Sequence, residues 1–245
     1  MKTIGLLGCI DLPSTMHYLK GFDFWKDRLD LDDSPKIAMR SGDYENITSL
    51  RRANRWDDIA DEAVKGATAV KNAGADFLVM ATSLMDKVAN RVEEYAKIPV
   101  LRITAPTVAA IKSYNIEDGS YEGAVDGDAA LLIGTKWTME ESFLIDEFKN
   151  NNISVAVPDA KDRDDLEEMR KAPKSLPEQA EFFRIAHRYY RQVVIIGCLN
   201  FNPFFNSDTW LIERHTNHLG KTVLFFNMAD LHIRAAVKRA AEKSL

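Results

Sequence analysis

Short apolar runs alternate with amphipathic segments along most of the chain. Continuous apolar runs are typical of strands that are buried on both faces of a parallel sheet. In the first half, runs rich in β-branched and aliphatic residues lie at residues 3–7, 36–39, 77–80 and 100–103. Between them apolar residues recur at helical spacing, namely Ile59, Ala63, Ala67 and Val70, and then Met85, Val88 and Val92. The pattern predicts an α/β fold in which helices cover both faces of a parallel sheet.

The second half repeats this pattern. Its apolar runs lie at residues 130–133, 153–157 and 193–196, and a helical segment covers residues 177–190. Two segments of each half correspond: residues 4–9 with 131–135, and residues 77–82 with 193–198. We therefore predict two similar lobes related by a pseudo-twofold axis, each a parallel sheet flanked by helices. Open α/β sheets bind ligands at the carboxyl ends of their strands, so we predict an active site in the cleft between the lobes.

The boundaries of the lobes follow from breaks in the pattern. Ala105-Pro106-Thr107 opens a helix and marks the crossover. The first lobe is therefore assigned to residues 1–104 and the second lobe to residues 105–222. A helical pattern from Ala229 onwards is expected to return to the first lobe, so residues 223–245 are assigned to complete it.

Composition and charge narrow the class of protein. The 245 residues are 46% hydrophobic, which is enough to bury a full core. With 32 basic and 37 acidic residues, the chain is not expected to bind nucleic acid. No apolar stretch approaches the roughly 18 residues that span a bilayer, and no signal peptide is predicted. The two cysteines, Cys9 and Cys198, are too few for a disulfide scaffold and favour a cytoplasmic protein. Residues 115–128 combine turn formers with acidic residues and predict an exposed insertion.

Five short segments carry motifs in a fixed order along the chain. They are KTIGLLG at residues 2–8, SGDY at 41–44, GADF at 74–77, GTKWTME at 134–140 and GC at 197–198. In this order they resemble the KTIGLLGGM, S-x-D-F, GADF, GT-x-x-TME and GCTE segments of the aspartate/glutamate racemase superfamily, especially its aspartate racemase branch. The resemblance implies a homodimeric enzyme that acts without a cofactor on a small carboxylate or amino acid.

The departures from the family pattern fall in the two motifs that carry the chemistry. Family racemases use two cysteines on opposite sides of the substrate α-carbon, and a thiol suits proton transfer because nearby donors can tune it. The GCTE motif reads Gly197-Cys198-Leu199-Asn200, so its thiol remains. The C-T-N-T-M-H motif reads Ala81-Thr82-Ser83-Leu84-Met85-Asp86, so its thiol is missing. The resemblance implies Cys198 as a catalytic acid/base, with Leu199 and Asn200 in the substrate site.

The first lobe offers hydroxyl groups where the family has its first thiol. Thr82 and Ser83 come between a strand and a helix, where they can cap the helix and also hold a carboxylate or enediolate oxygen. We assign Thr82 a catalytic role and Ser83 a role in substrate binding. Ala81, at the position of the missing thiol, is assigned to the substrate site. Cys9 is assigned there too, with a relocated second thiol as the alternative.

Further polar residues are candidates for contacts with substrate. Arg40, at the end of the second predicted strand, can pair with a substrate carboxylate. Thr135 and Thr138 can contact a carboxylate or oxyanion as well as cap a helix. Thr138 with Glu141 has the spacing of a capping box, which predicts a helix that starts just beyond the preceding strand. Asp86, in place of the family histidine, is either an acid/base or a surface carboxylate.

Three functions are compatible with these residues. The first is a racemase or epimerase of an acidic amino acid with Cys198 as one base. The second is a one-base malonate-type decarboxylase. Arylmalonate decarboxylases of the superfamily keep only the second-lobe cysteine and carry Gly-Thr-Ser at the first motif, which Ala81-Thr82-Ser83 resembles. The third is a non-catalytic protein that binds an acidic metabolite. No metal site is predicted, because His215-Thr216-Asn217-His218 lacks a third ligand nearby.

Overall fold

The computed structural model describes residues 1–8, 11–114, 130–171, 175–189, 191–205, 211–216, 220 and 222–242. The chain divides into two compact units. The first comprises Met1–Ala105 and His232–Leu245, and the second comprises Pro106–Leu231. The predicted insertion at residues 115–128 lies outside the described residues. Among the described helices, none is both long and apolar enough to cross a membrane.

The first unit alternates strands with helices. Its strands are β1 (Thr3–Gly8), β2 (Lys36–Ser41), β3 (Phe77–Met80) and β4 (Val100–Leu101). Its helices are α1 (Leu12–Arg28), α2 (Tyr44–Arg52), α3 (Trp56–Asn72) and α4 (Ala89–Ala96), with a 3₁₀ helix, η1, at Ser83–Val88. The strands are parallel and lie in the order β2-β1-β3-β4. Each apolar run of the first half contains or overlaps one of these strands, which confirms the predicted parallel sheet.

Helix α3 shows how the sheet is covered. The apolar residues predicted from its spacing are all at most 2% exposed: Ile59, Ala63, Ala67 and Val70. The same helix approaches β1 closely, because a Cβ atom at Gly66 would lie 2.6 Å from Cδ1 of Leu7. Removing this apolar face from water stabilises the unit by about 25 cal/mol for each Å² buried.

The second unit contains a larger sheet. Its strands are β5 (Ala130–Ile133), β6 (Val155–Ala156), β7 (Val193–Ile196), β8 (Ile212–Thr216) and β9 (Thr222–Asn227). Its helices are α6 (Lys136–Glu140), α7 (Ser142–Asn150), α8 (Ala160–Lys171) and α9 (Leu176–Arg188), with a second 3₁₀ helix, η2, at Leu199–Phe204. Two helices, α5 (Thr104–Ser113) and α10 (Met228–Ala241), carry the chain from one unit to the other. The strand order is β6-β5-β7-β9-β8, in which β8 is antiparallel to β9 and the other pairs are parallel.

The second unit extends further along the chain than the sequence predicts. Residues 223–231 are assigned above to the first lobe, but β9 pairs in parallel with β7 and so belongs to the second sheet. The chain enters the first unit at His232. The strand escapes prediction because a short apolar run directly before a helical pattern does not by itself distinguish a strand from a helix.

The two sheets repeat one topology. The order β2-β1-β3-β4 of the first sheet has its counterpart in β6-β5-β7-β9 of the second. The register of the central strands also agrees with the correspondence drawn from the sequence. Leu7 lies beside Met80 in the first sheet, as Ile133 lies beside Ile196 in the second.

The residue after each central strand makes the same backbone hydrogen bond. The N–H of Ala81 donates to a β1 carbonyl at 3.0 Å, and the N–H of Gly197 donates to a β5 carbonyl at 2.8 Å. Ala81 is therefore the counterpart of Gly197, and Thr82 is the counterpart of Cys198. Both members of the second pair have extended backbones and cap a 3₁₀ helix, η1 and η2 respectively.

A buried histidine ties α10 to the rest of the first unit. His232 is 0% exposed, with Nε2 2.8 Å from the carbonyl oxygen of Leu101 and Nδ1 2.9 Å from the hydroxyl of Tyr18. Because a carbonyl can only accept, Nε2 carries the proton and Nδ1 accepts from Tyr18. The neutral ring satisfies both contacts, and burial lowers the pKa of His232 to about 4.

We expect this histidine to make the free energy of unfolding depend on pH. Between pH 6.5 and about 4 the unfolded imidazole binds a proton and the native one does not, so acid favours unfolding. The loss across this window is on the order of 3 kcal/mol. Denaturant unfolding at stepped pH, compared with His232→Gln, measures it, because glutamine keeps a donor and an acceptor without titrating. Parallel pH curves for the two proteins would contradict the expectation.

Candidate functional site

Cys198 stands at the carboxyl end of β7, in the middle of the second sheet. It caps η2 with an extended backbone, and its side chain is partly buried. The thiol donates a hydrogen bond to Oδ1 of Asn200 at 3.3 Å. The acceptor is an amide oxygen, so the thiol hydrogen is directed to the side chain of Asn200. The thiol therefore lies at a strand end and is only partly buried.

Buried aromatic rings hold η2 in place behind the thiol. Phe201 and Phe204 are 0% and 1% exposed. Their ring centroids lie 5.1 Å and 5.2 Å from that of Phe182 in α9, and Cys198 packs against the same core. The side chain of Leu199 is half-buried beside the thiol, and that of Asn200 is exposed apart from its contact with Sγ.

Thr135 and Thr138 lie at the end of β5, the strand next to β7. Thr135 caps α6 by accepting from the N–H of Thr138 at 3.1 Å, and the two hydroxyl oxygens are 2.8 Å apart. The predicted capping box of Thr138 and Glu141 is therefore wrong, because α6 begins at Lys136 and Glu141 follows its last residue. Thr138 is 4% exposed and its methyl group packs against Gly197, just before the thiol. Thr135 is half-buried and keeps access to a ligand.

Thr82 occupies the matching place at the end of β3. Its hydroxyl oxygen accepts from the N–H of Leu84 at 3.3 Å, and its side chain is half-buried. Because a hydroxyl has two lone pairs and one hydrogen, its O–H can still donate to an oxygen of a ligand. Ser83 is only 6% exposed and Ala81 only 4% exposed. Thr82 is therefore more accessible than Ala81 and Ser83, the two neighbours that the sequence also assigns to the substrate site.

Arg40 borders a cavity of about 330 Å³ in the first unit. The polar side chains around this cavity also include Ser41, Asp43, Asn46 and Glu62, and its apolar wall reaches Leu7 and Met85 of η1. The Arg40 guanidinium is exposed and makes a long hydrogen bond to the carbonyl of Lys65 at 3.4 Å. A cation and two carboxylates around one small cavity suit a ligand that carries both charges.

Asp86 is buried rather than exposed, which corrects the view of it as a surface carboxylate. It is 9% exposed, and its Oδ2 accepts from the N–H groups of Ile103 at 3.0 Å and Thr104 at 3.5 Å. These donors lie at the N-terminus of α5, where they have no partner within the helix and where a carboxylate is favoured. The residue that replaces the family histidine therefore acts as a helix cap.

We expect Asp86→Ala to lower the free energy of unfolding by about 1–2 kcal/mol, because it leaves buried N–H groups without an acceptor. Asp86→Asn keeps an acceptor oxygen and is the matched control, with a smaller loss. Denaturant unfolding of the three proteins measures the difference. An alanine variant as stable as the parent would show that the cap contributes nothing.

Two sequence candidates depend on residues that the structure does not describe. Cys9 lies outside the described residues, as does His218. The ring of His215 stacks on Phe183 with 4.3 Å between centroids, and its Nε2 lies 3.3 Å from a carboxylate oxygen of Glu213. Within the described part of the chain, no three His, Cys, Asp or Glu side chains are grouped as a metal site.

Sequence reasoning missed three polar residues near η2. Asn202, Asn227 and Asp230 are all buried, and the side-chain amide of Asn227 donates a hydrogen bond to each of the other two. One signal was available, because Asn227 directly follows the apolar run at residues 223–226 and so marks the end of a strand.

Comparisons with known proteins cover nearly the whole chain. The sequence model described as Asp/Glu/hydantoin racemase matches residues 7–218. The crystal structure of a Yersinia pestis protein described as a putative Asp/Glu racemase is similar at a TM-score of 0.80 and 26% identity, covering 99% of this chain and 100% of that one. An aspartate racemase homologue from Pyrococcus horikoshii has the same TM-score of 0.80 and the same coverage of 99% and 100%, at 20% identity. The aspartate racemase of Picrophilus torridus has a TM-score of 0.64 at 13% identity, covering 100% of this chain and 96% of that one.

Proposed function

Because the chain belongs to the Asp/Glu/hydantoin racemase family, we propose that it is an enzyme that transfers a proton at the carbon alpha to a carboxylate, with Cys198 as the acid/base. The first candidate is a cofactor-independent racemase or epimerase of a small acidic amino acid or a related carboxylate. The observation that carries the proposal is the partly buried Cys198 thiol, hydrogen-bonded at the carboxyl end of the central strand. Arg40 is proposed to pair with a substrate carboxylate.

One observation favours a second candidate, a one-base decarboxylase of a malonate-type acid. Thr82 is the counterpart of Cys198, and a hydroxyl is a much poorer base than a thiol near neutral pH. Decarboxylation needs no base to create the carbanion. The bond to the departing carboxylate breaks, its electrons pass into an enediolate, and carbon dioxide leaves. The thiol of Cys198 then gives its proton to the carbon and recovers one from water, while the Thr82 hydroxyl donates to the enediolate oxygen.

Proton NMR in deuterated water separates these candidates. The protein is incubated with L-aspartate, L-glutamate and substituted malonates, and the α-proton is followed. A racemase exchanges the α-proton and forms both enantiomers of the amino acid. A decarboxylase consumes the malonate and gives a singly deuterated product of one configuration. Saturable binding without exchange or decarboxylation would overturn both candidates and identify a binder of acidic metabolites.

A further inference from the structure

Two buried amides and one buried carboxylate lie beside the 3₁₀ helix that follows Cys198. Asn202 in η2 is 7% exposed, Asn227 at the end of β9 is 1% exposed, and Asp230 in α10 is 0% exposed. All three belong to the second unit. Buried polar groups are retained in proteins chiefly where hydrogen bonds compensate them, so the partners of these three groups are informative.

The hydrogen bonds of Asn227 define its orientation. Its Oδ1 accepts from the backbone N–H groups of Ala229 at 3.1 Å and Asp230 at 3.2 Å, which caps α10. Because both partners are donors, this atom must be the oxygen. Nδ2 then donates twice, to Oδ2 of Asp230 at 2.6 Å and to Oδ1 of Asn202 at 3.2 Å. One amide thus joins a helix cap, a buried carboxylate and η2.

This network reaches the thiol through a short, rigid path. In the sheet, Asn227 lies beside Ile196, two residues before Cys198. Within η2, the N–H of Phe201 donates to the carbonyl of Cys198 at 3.2 Å, and Asn202 is the next residue. A bond that holds Asn202 therefore holds the turn that presents the thiol.

We infer that Asn227 and Asn202 are positioning residues for Cys198, and that they anchor η2 to the buried carboxylate of Asp230. The inference rests on the proposed role of Cys198 and adds to it the residues that orient the thiol. Aromatic packing restricts η2 only by shape. The hydrogen bond between the side chains of Asn227 and Asn202 also fixes the position and rotation of η2 relative to the end of the strand.

The hydrogen bonds from Asn227 to Asn202 and Asp230 are called the anchor below. The side-chain NH₂ of Asn202 is not used in it, which makes a rescue experiment possible. Because Oδ1 of Asn202 accepts from Asn227, its Nδ2 is left without a hydrogen-bond partner among the described residues. Asn227→Asp removes the donor that Asn202 uses and sets two buried carboxylates side by side. If Asp230→Asn is added, the pair again carries a single charge. Asn202 can then turn its amide and donate Nδ2 to the new carboxylate.

The first test measures the reactivity of the thiol and needs no knowledge of the substrate. In a Cys9→Ala background, Cys198 is the one remaining cysteine of the chain, and its alkylation by iodoacetamide is followed by mass spectrometry across a pH series. Asn202→Leu, of similar size but without the amide, is expected to change the rate or its pH profile by more than about threefold. Asn150→Leu, an exposed site in the same unit, is the matched control and should match the parent.

The second test is the rescue. We expect Asn227→Asp to alter alkylation or to fold poorly, and the double variant Asn227→Asp/Asp230→Asn to fold and return to within about threefold of the parent. On a substrate found by the NMR assay, Asn202→Leu should lower kcat by about tenfold or more with little change in KM. A folded Asn202→Leu variant with parent-like alkylation overturns the inference, as does a folded double variant whose alkylation matches that of Asn202→Leu.

The outcomes distinguish a failure of the anchor from a failure of the proposed function. Altered alkylation in Asn202→Leu, with no turnover of any substrate by the parent, supports the anchor and counts against the proposed function. Turnover by the parent, with unchanged alkylation and kcat in Asn202→Leu, supports the proposed function and overturns the anchor.

Discussion

Replacing Cys198 by alanine is expected to reduce turnover by about 10²- to 10⁴-fold, the contribution typical of a positioned acid or base. Both proposed reactions require this thiol to deliver a proton to carbon. The two residues that follow Cys198 offer no comparable group, since Leu199 is apolar and Asn200 is an amide. The loss should appear as α-proton exchange or malonate consumption that falls to background at unchanged folding.

Cys9→Ala is the matched control for this experiment, because it removes the other thiol of the chain. We expect it to keep most of the activity. Cys198→Ser tests the acidity of the group rather than its shape, because serine keeps the side-chain geometry but is a far weaker acid. We expect this variant to be nearly as inactive as Cys198→Ala. Equal losses in the Cys9 and Cys198 variants would instead assign Cys9 the role of a second base.

The central strands and the helices that cover them could be predicted because their signals are local. The run at residues 77–80 is apolar throughout since β3 is buried on both faces, and the spacing of Ile59, Ala63 and Ala67 in α3 reports one buried face. Strand β8 was missed for the opposite reason. Its residues are half-buried or exposed, and its pairing with β9 is the feature that makes it a strand.

Contacts between distant residues account for what the sequence did not predict at the site. In the sequence Asp86 resembles a surface carboxylate. In the structure it is buried because it binds the N-terminus of α5, 17 residues further on. Asn202 and Asn227 are separated by 25 residues, and neither indicates a partner on its own. Cys198 could be predicted as the acid/base because its motif is continuous, whereas the residues proposed to orient it come from different strands and helices.

The family motif and the structure indicate different counterparts of Cys198 in the first unit. The family motif aligns the missing thiol with Ala81, but the backbone hydrogen bond after β3 pairs Ala81 with Gly197 and Thr82 with Cys198. Ala81 is also 4% exposed, so a thiol there would be enclosed by the core. Threonine has one more heavy atom in its side chain than cysteine, so Thr82→Cys causes no overpacking and costs about 1 kcal/mol for the lost η1 cap. Ala81→Cys adds an atom to a packed site, at a cost of about 1–3 kcal/mol.

We therefore expect Thr82→Cys, rather than Ala81→Cys, to introduce racemisation. A thiol at residue 82 supplies the second acid/base that a two-base mechanism needs. The measurement is α-proton exchange in deuterated water together with the enantiomeric purity of the product. In Thr82→Cys the exchange rate should rise by at least about tenfold and the enantiomeric purity should fall. Iodoacetamide labelling provides an independent check, because the thiol introduced by Thr82→Cys should be modified and the one introduced by Ala81→Cys should be protected by its burial. If Ala81→Cys gains exchange and Thr82→Cys does not, the family motif is the correct guide and the equivalence of the two strand ends does not extend to their chemistry.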